Sequence, residues 1–469
     1  MTTNAMNPAL CETFTSPTNI AVIKYWGKND RVLNTPMNSS VSVTLDQGDL
    51  HTLTTVAASK EFKSDKLWLN GVETAMNNRA HACLREIRAI AGDKYCPKTG
   101  ELLVRADEWP QYGVHISTVN TFPTGAGLAS SAAGYACLVS ALSKLFAVVE
   151  QYPGQLTAIA RQGSGSASRS MYGGFVRWQK GERADATDSI AVQVADHKHW
   201  PELRAVIMVV SDKEKDTSST VGMETSKKTS PFLSYRAENV VEPRLKEIEA
   251  AFLNRDFETF GRITMQDSNQ FHSTCLDTYP PIFYMNDTSR MIIRLVHIIN
   301  EHFGCIKAAY TFDAGPNAVI YTLDKDVSML LAVMSKYFPA AGTPQSYCND
   351  ADAYADGVSK QKFLPADLLS KLEKTGRQPK AGDVKYIFVT RSGPGPIDVG
   401  EEHCLLDKET GLPVPPGPGH KQLQIVDANP PRSESLGCPF KSGNCILPKV
   451  ILGLLCVGVG IFIGKRRFP

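Results

Sequence analysis

Handling phosphate and carboxylate groups takes backbone N–H groups, hydroxyls and cations held close together, and a few short stretches of this sequence concentrate them. Residues 123–134 read PTGAGLASSAAG and run straight into an apolar helical pattern. Glycine and alanine let a backbone approach an anion, and the first turn of a helix leaves unpaired N–H groups at the positive end of its dipole. Ser130 and Ser131 add hydroxyls able to hold a phosphate or a magnesium ion. A small-residue helix start packed tightly on a sheet has the same composition, and no G-K-[ST] ending makes this a Walker A loop. Residues 164–178, SGSASRSMYGGFVRW, place four serines around Arg169, whose guanidinium is a two-pronged donor for carboxylate or phosphate. Read alone, that stretch is an ordinary solvated serine loop.

Three further stretches carry charge. Lys24 and Lys28 flank Tyr25 and Trp26 in KYWGK, and in a loop both could address one anion, while two surface lysines would read the same way. Residues 212–226, DKEKDTSSTVGMETS, follow an apolar run and read equally as a lid, a nucleotide contact or a surface loop. Asp313 stands between an apolar run ending in Phe312 and a Gly-Pro turn, where a carboxylate can project into a cleft as a base or can simply shape the turn.

The elements that must position these residues alternate between strand and helix patterns. Strand-like runs occupy 19–25, 41–45, 113–119, 205–210, 308–312, 318–323 and 384–390. Helical periodicity covers about 130–149, then 234–254, 256–272, 287–303 and 326–337. No solenoid-type repeat is present. The pattern predicts an α/β (α+β) body ending near residue 400, followed by a linker, because 411–419 (GLPVPPGPG) has seven Gly or Pro in nine positions.

Composition narrows the class of function. Of 469 residues 42% are hydrophobic and 21% charged, which excludes wholesale disorder. Fifty Lys and Arg against 48 Asp and Glu leave a net charge of +2, so there is no electrostatic footprint for nucleic acid. Residues 1–18 lack the basic and apolar regions of a signal peptide, and eleven cysteines without a C-x-x-C pair fit reduced thiols in the cytosol. Residues 450–464 carry no charge and are flanked by Lys449 and by Lys465, Arg466 and Arg467. That run is shorter than the roughly 20 apolar residues of a full span, so a buried segment is the plainer reading. Its place after a Pro/Gly-rich stretch, with a basic end, leads us to expect an anchor at 446–469 that holds the body on the cytosolic face of a membrane.

Taken in order, the strings NIAVIKYWGK (19–28), FPTGAGLASSAAG (122–134), SGSASRSMYGGF (164–175), DTSSTVGM (216–223), AAYTFDAGPNAV (308–319) and VKYIFVTRSGPGP (384–396) resemble the mevalonate diphosphate decarboxylases of the GHMP kinase superfamily. The resemblance covers residues 10–400. It implies two lobes, a ribosomal-S5-like lobe over 1–204 and an α/β sandwich lobe over 205–400, beyond which the Gly/Pro-rich composition predicts a flexible linker over 401–445. It also implies a homodimer, and an enzyme of isoprenoid and sterol biosynthesis that uses ATP and magnesium to turn (R)-5-diphosphomevalonate into isopentenyl diphosphate, ADP, phosphate and carbon dioxide, by way of 3-hydroxyl phosphorylation. Asp313 would orient or deprotonate that hydroxyl with Lys24 nearby, and Arg169 with Asn19 would hold the carboxylate. Tyr25, Trp26, Gly27, Lys28, Arg79, Ser164, Gly165, Ser166, Ala167, Ser168 and Thr220 would line the diphosphate site. Gly125, Ala126, Gly127, Leu128, Ala129, Ser130, Ser131 and Ser219 would hold ATP, with Ser131 closest to magnesium. Two positions depart from the family pattern: Ser168 stands where Cys is usual and Gly125 where Ala is frequent. A related kinase acting on mevalonate or its monophosphate at the 3-hydroxyl, and a silent membrane-tethered scaffold, are the competing readings.

Overall fold

Nine consecutive buried residues, His51–Ser59, form the strand around which the first lobe is built. The computed structural model describes residues 9–48, 50–122, 130–211 and 215–416. In it this strand lies third in a six-stranded sheet of order Ile397–Asp398, Leu10–Pro17, His51–Ser59, Gly113–Asn120, Lys66–Leu69 and Val72–Thr74. Strand side chains alternate between faces. Val56 and Ala58 therefore join Leu84, Ile87, Val139 and Leu142 from the helices Asn78–Ala89 and Ser130–Leu145, while Ala57 on the other face meets Trp68 and Leu406.

A second sheet, Ala191–Ala195, Phe175–Trp178, Ser40–Thr44 and Asn19–Ile23, links the lobes. The second lobe has a four-stranded antiparallel sheet of order Ala308–Phe312, Ala318–Leu323, Leu203–Val209 and Tyr386–Arg391. One apolar cluster runs without a break from Ile20, Val22, Val43 and Phe175 to Met208, Phe252, Phe260 and Tyr321. Within it Phe175 stacks on Phe252 with ring centroids 4.0 Å apart. Close-packed interiors resist small displacements. The shared core therefore fixes the end of Asn19–Ile23, which leads into Lys24, against the end of Ala308–Phe312, which leads into Asp313.

Two of the expected elements are built differently in the structure. The helix expected over 234–254 is a helix at Pro231–Tyr235, a π-helical turn at Arg236–Val240, and a further helix at Val241–Leu253. Pro243 has no N–H to bond the carbonyl four residues back, so the regular hydrogen-bond ladder is interrupted there, just after the π-helical turn. The flexible linker expected from 401 also begins too early, because residues 397–416 return to the first lobe. Leu405 and Leu406 are buried, Leu405 N donates to Thr55 Oγ1 at 2.9 Å, and Ala9 N donates to Lys408 O at 2.9 Å. Two adjacent leucines with a face to bury outweigh a Gly/Pro-rich neighbourhood.

The expected anchor at 446–469 lies outside the described residues. Among the described residues no helix is long and apolar enough to cross a membrane. The eight cysteines described are all free thiols.

Candidate active site

Three helices open at one cavity. Asn77 caps the helix Asn78–Ala89 by accepting from Arg79 N and Ala80 N, which sets Arg79 in the first turn. Ser218 caps Ser219–Thr229 through Val221 N, which does the same for Ser219 and Thr220. Ser131 is the second residue of Ser130–Leu145. All four line a cavity of about 200 Å3 together with Asn19, Lys24, Tyr25, Trp26, Lys28, Ser164, Gly165, Ser166, Arg169, Lys215 and Asp313. Its wall holds the five cations Lys24, Lys28, Arg79, Arg169 and Lys215 against the single carboxylate Asp313. Such an excess of positive charge, with helix N-termini added, fits a polyanion.

The carboxylate is already engaged. Lys24 Nζ lies 2.6 Å from Asp313 Oδ1, with the lysine 4% and the aspartate 34% exposed, so Asp313 faces the cavity. The turn that presents it is closed by Gly315 N donating to Asp313 O at 2.7 Å, and Phe312 N donates to Ser268 Oγ at 3.0 Å. Behind the pair sits His272, 4% exposed and hydrogen-bonded to the main chain of Phe312. Burial first, then the Lys24 charge, lowers its pKa to about 4 and leaves it neutral at pH 7.

Arg169 is held differently. Its guanidinium is buried and donates only to neutral oxygens: Ser42 Oγ at 3.0 Å, Ser40 Oγ at 2.7 Å, Asn19 Oδ1 at 3.3 Å and Ser166 Oγ at 3.3 Å. Tyr25 and Trp178 stand about its plane, each ring centroid 5.8 Å away. Burial lowers its pKa to about 10, so it stays charged at neutral pH without a carboxylate on it. Gly165 lets this wall close, since a Cβ there would meet Trp178 at 2.7 Å and the Tyr25 hydroxyl at 2.9 Å.

At the mouth, burial and the nearby charges of Arg79 and Arg31 bring Lys28 down to about 8. Lys215 is lowered chiefly by burial, against the opposing pull of Asp313, and donates to Ser219 Oγ at 3.3 Å. Arg79 Nη2 reaches Thr220 Oγ1 at 3.3 Å, a contact between the lobes. Ser131 Oγ lies 3.2 Å from Ser164 Oγ. Ser131 also lines a second, mainly apolar cleft of about 250 Å3 with Ser130, Leu67, Leu69, Ile116, Tyr135 and Leu138.

Most of the expected site residues thus share one wall. Ala167 and Ser168 do not: Ala167 packs in the first-lobe core, and Ser168 Oγ is turned away to donate to Gly165 O at 2.7 Å. Gly27 also stands off the wall, at φ +82 with Met37 Sδ only 2.5 Å from where a Cβ would be, so the KYWGK turn needs glycine there. Ser130 faces the apolar cleft alone. Residues 125–129 lie outside the described residues. Lys215, Met223, Phe271 and Ala314 line the cavity without having been singled out. Of these, Lys215 and Met223 lay in the polar stretch 212–226 that hinted at a ligand.

Comparison with known proteins follows the same two-part layout. The family models for the diphosphomevalonate decarboxylase-like N-terminal domain and the mevalonate 5-diphosphate decarboxylase C-terminal domain match residues 16–191 and 205–399. Diphosphomevalonate decarboxylase of Rattus norvegicus is 50% identical over 405 residues, 86% of this chain and 97% of the relative. The structure of mevalonate diphosphate decarboxylase from Trypanosoma brucei superposes with a TM-score of 0.75 at 33% identity, covering 85% of this chain and 100% of that one. A structure of MDDEF in complex with MVAPP, AMPPCP and magnesium superposes with a TM-score of 0.61 at 28% identity, covering 83% of this chain and 98% of that one. With both halves matched and a relative at this identity, the chain belongs to the diphosphomevalonate decarboxylase family.

Proposed function

We propose that this chain uses ATP to decarboxylate (R)-5-diphosphomevalonate, giving isopentenyl diphosphate, ADP, phosphate and carbon dioxide. The observation that carries the reading is a cavity in which five cations surround one carboxylate and a buried guanidinium has no anion of its own. The substrate brings both anions such a wall lacks, a diphosphate at one end and a carboxylate at the other. Lys28, Arg79, Tyr25, Trp26, Ser164, Gly165, Ser166 and Thr220 take the diphosphate, and Arg169 with Asn19 takes the carboxylate. Asp313 accepts the proton of the 3-hydroxyl as the γ-phosphoryl group arrives, with Lys24 beside it to balance the charge. The tertiary 3-phosphate then leaves, positive charge develops at C3, and the electrons of the departing carboxylate become the new double bond. Buried donors already aimed at these anions need no reorganisation during the reaction.

ATP enters through the apolar cleft, with its phosphates passing Ser131 and Ser219. The hydroxyls of Ser131 and Ser164, 3.2 Å apart, are hard oxygen donors of the type magnesium takes alongside phosphate oxygens. When bound, that ion supplies charge neutralisation on the triphosphate.

The assay uses the full chain with ATP, magnesium and carboxyl-labelled 5-diphosphomevalonate. ADP and labelled carbon dioxide appearing one for one is the expected result. ADP without carbon dioxide would mean a 3-kinase, and neither product from folded protein would mean a scaffold.

Three finer readings accompany this one. The chain divides functionally into lobes at 1–204 and 205–400, although Leu203–Val209 already belongs to the second sheet. It forms a homodimer: Phe232, Tyr235, Leu276, Tyr279 and Phe283 are large exposed apolar side chains, and Tyr279 N donating to Thr229 Oγ1 keeps their two segments together. Sedimentation of the parent and of Phe232→Glu/Tyr279→Glu tests this. The body works in the cytosol, consistent with eight free thiols, and residues 446–469 tether it to a membrane. Membrane fractionation with and without those residues tests the tether.

A further inference from the structure

The helix Phe257–Asp277 buries a carboxylate that this chemistry does not use. Asp267 has no exposed side-chain surface and is not part of the cavity wall. Its Oδ1 accepts from Arg236 Nη1 at 2.7 Å and Arg244 Nη1 at 3.1 Å, and its Oδ2 accepts from Arg236 Nη2 at 2.8 Å. Gln270 Oε1 accepts from both guanidiniums, at 2.6 and 2.9 Å. The remaining bond to Asp267 comes from Lys24, whose main-chain N–H donates to Oδ2 at 2.7 Å. Arg236 Nη2 also donates to Lys24 O at 2.8 Å, and Asn38 Nδ2 donates to the same oxygen at 3.0 Å.

Both main-chain polar atoms of Lys24 are thus held by one buried ion pair, and the local backbone explains why they need it. The ladder between Asn19–Ile23 and Ser40–Thr44 shifts register between Ala21 and Ile23 and stops there. The next N–H has no strand partner, and a buried N–H must find one. The clamp comes from the second lobe, as Asp313 does, so Lys24 is fastened to that lobe twice, by its main chain and by its Nζ. Arg236 reaches across from the first residue of the π-helical turn, an irregularity that often marks functional sites.

We propose that Asp267 is a positioning residue: with Arg236 it fixes the main chain of Lys24 so that Nζ stays on Asp313, and it affects turnover only through that lysine. This rests on the decarboxylase reading of the same cavity. A lysine stem has four rotatable bonds, and small misplacement of a reacting group costs on the order of 100-fold in rate. Substrate affinity should change far less than turnover, because of the diphosphate contacts only Tyr25 and Trp26 adjoin Lys24, while Lys28, Arg79, Ser164, Ser166 and Thr220 are held by other bonds.

The test measures release of labelled carbon dioxide by the full chain with ATP and magnesium, for the parent, Asp267→Asn, Lys24→Ala and the double variant, with circular dichroism to establish folding. Asp267→Asn should lower kcat by about 100-fold with both KM values within about threefold. In the Lys24→Ala background the same substitution should cost less than about threefold, since two residues acting through one contact are not additive. A merely structural residue would cost the same in both backgrounds, and that result overturns the proposal, as does a folded Asp267→Asn whose kcat matches the parent. Should Asp267→Asn not fold, Arg244→Gln decides, because Arg244 is partly exposed and touches one oxygen of Asp267. A fall in its kcat of about fivefold at unchanged KM is expected, and an unchanged kcat overturns the proposal. A parent that releases no carbon dioxide refutes the function and the proposal together, whereas a working parent with unaffected variants refutes this proposal alone.

Discussion

Two cations sit in the same cavity and are treated in opposite ways. Lys24 is paired with Asp313 through its side chain and bolted down through its main chain. Arg169 is as deeply buried but meets only serine hydroxyls and one amide oxygen. Burying a charge without a counter-charge is costly. The Lys24 end therefore has its counter-charge before substrate arrives, while the Arg169 end is bonded only to neutral oxygens and lacks one. On the proposed reading, one end acts on a group and the other holds one.

The largest expected effect comes from breaking the first end. Asp313→Asn keeps the shape and removes the base, so kcat for carbon dioxide release should fall by about 1,000-fold or more, while thermal unfolding moves by no more than a few degrees. Activity within tenfold of the parent would remove Asp313 from the mechanism. Breaking the second end gives a smaller and differently distributed loss. Arg169→Gln should lower kcat/KM for the diphosphate substrate by about 100-fold while the Kd for ATP stays within threefold. Equal losses in both would mean that the guanidinium serves the nucleotide.

The mouth of the cavity sharpens the comparison with a pH dependence. Lys28 is lowered to about 8, so it sheds its proton as pH rises through 8, and an arriving diphosphate must restore it. KM for the diphosphate substrate should therefore climb above pH 8, by at most tenfold per unit for one group, and Lys28→Arg should flatten the climb. A KM that is level from pH 7 to 9.5 would remove Lys28 from the site. The smallest effect belongs to His272. Its folded pKa, about 4, lies below the unfolded value near 6.5, so the unfolded chain binds the extra proton in that window. Stability should then fall as pH drops from 6.5 to 4, by about 3 kcal/mol from this group. His272→Gln, compared with the parent by denaturant melts, should lose that share of the slope.

What the sequence disclosed and what it hid divide along the same line. Residues that face the cavity were legible only in combination: Lys24, Arg169 and Asp313 each stand in a string that alone reads as a surface loop or a turn, and the order of the strings gave them away. Arg79 and Thr220 came only with the family resemblance, and the caps that set them, Asn77 and Ser218, are visible in the structure alone. The residues that hold those groups were not legible. Asp267 is one polar position on a long amphipathic helix, and nothing in its neighbours reveals that it faces inward toward two arginines. The π-helical turn that aims Arg236 looks in sequence like an ordinary helical run broken by Pro243. The strand His51–Ser59, HTLTTVAAS, hid for another reason, because both of its faces are buried and its threonines satisfy one another across the sheet, as Thr54 and Thr118 do at 2.8 Å. Residues 401–416 failed the composition test for structure and are nonetheless pinned by Leu405 and Leu406. A tertiary partner can override a local signal, and no local signal announces such a partner.

The central claim is that Arg169, buried without a counter-charge, takes the substrate carboxylate. Calorimetric titration of the parent and of Arg169→Gln, each with 5-diphosphomevalonate and with its carboxamide analogue, tests this most directly. The account predicts that the parent prefers the carboxylate by about 10- to 100-fold and that Arg169→Gln binds the two ligands almost equally. An equal preference in both proteins would contradict it.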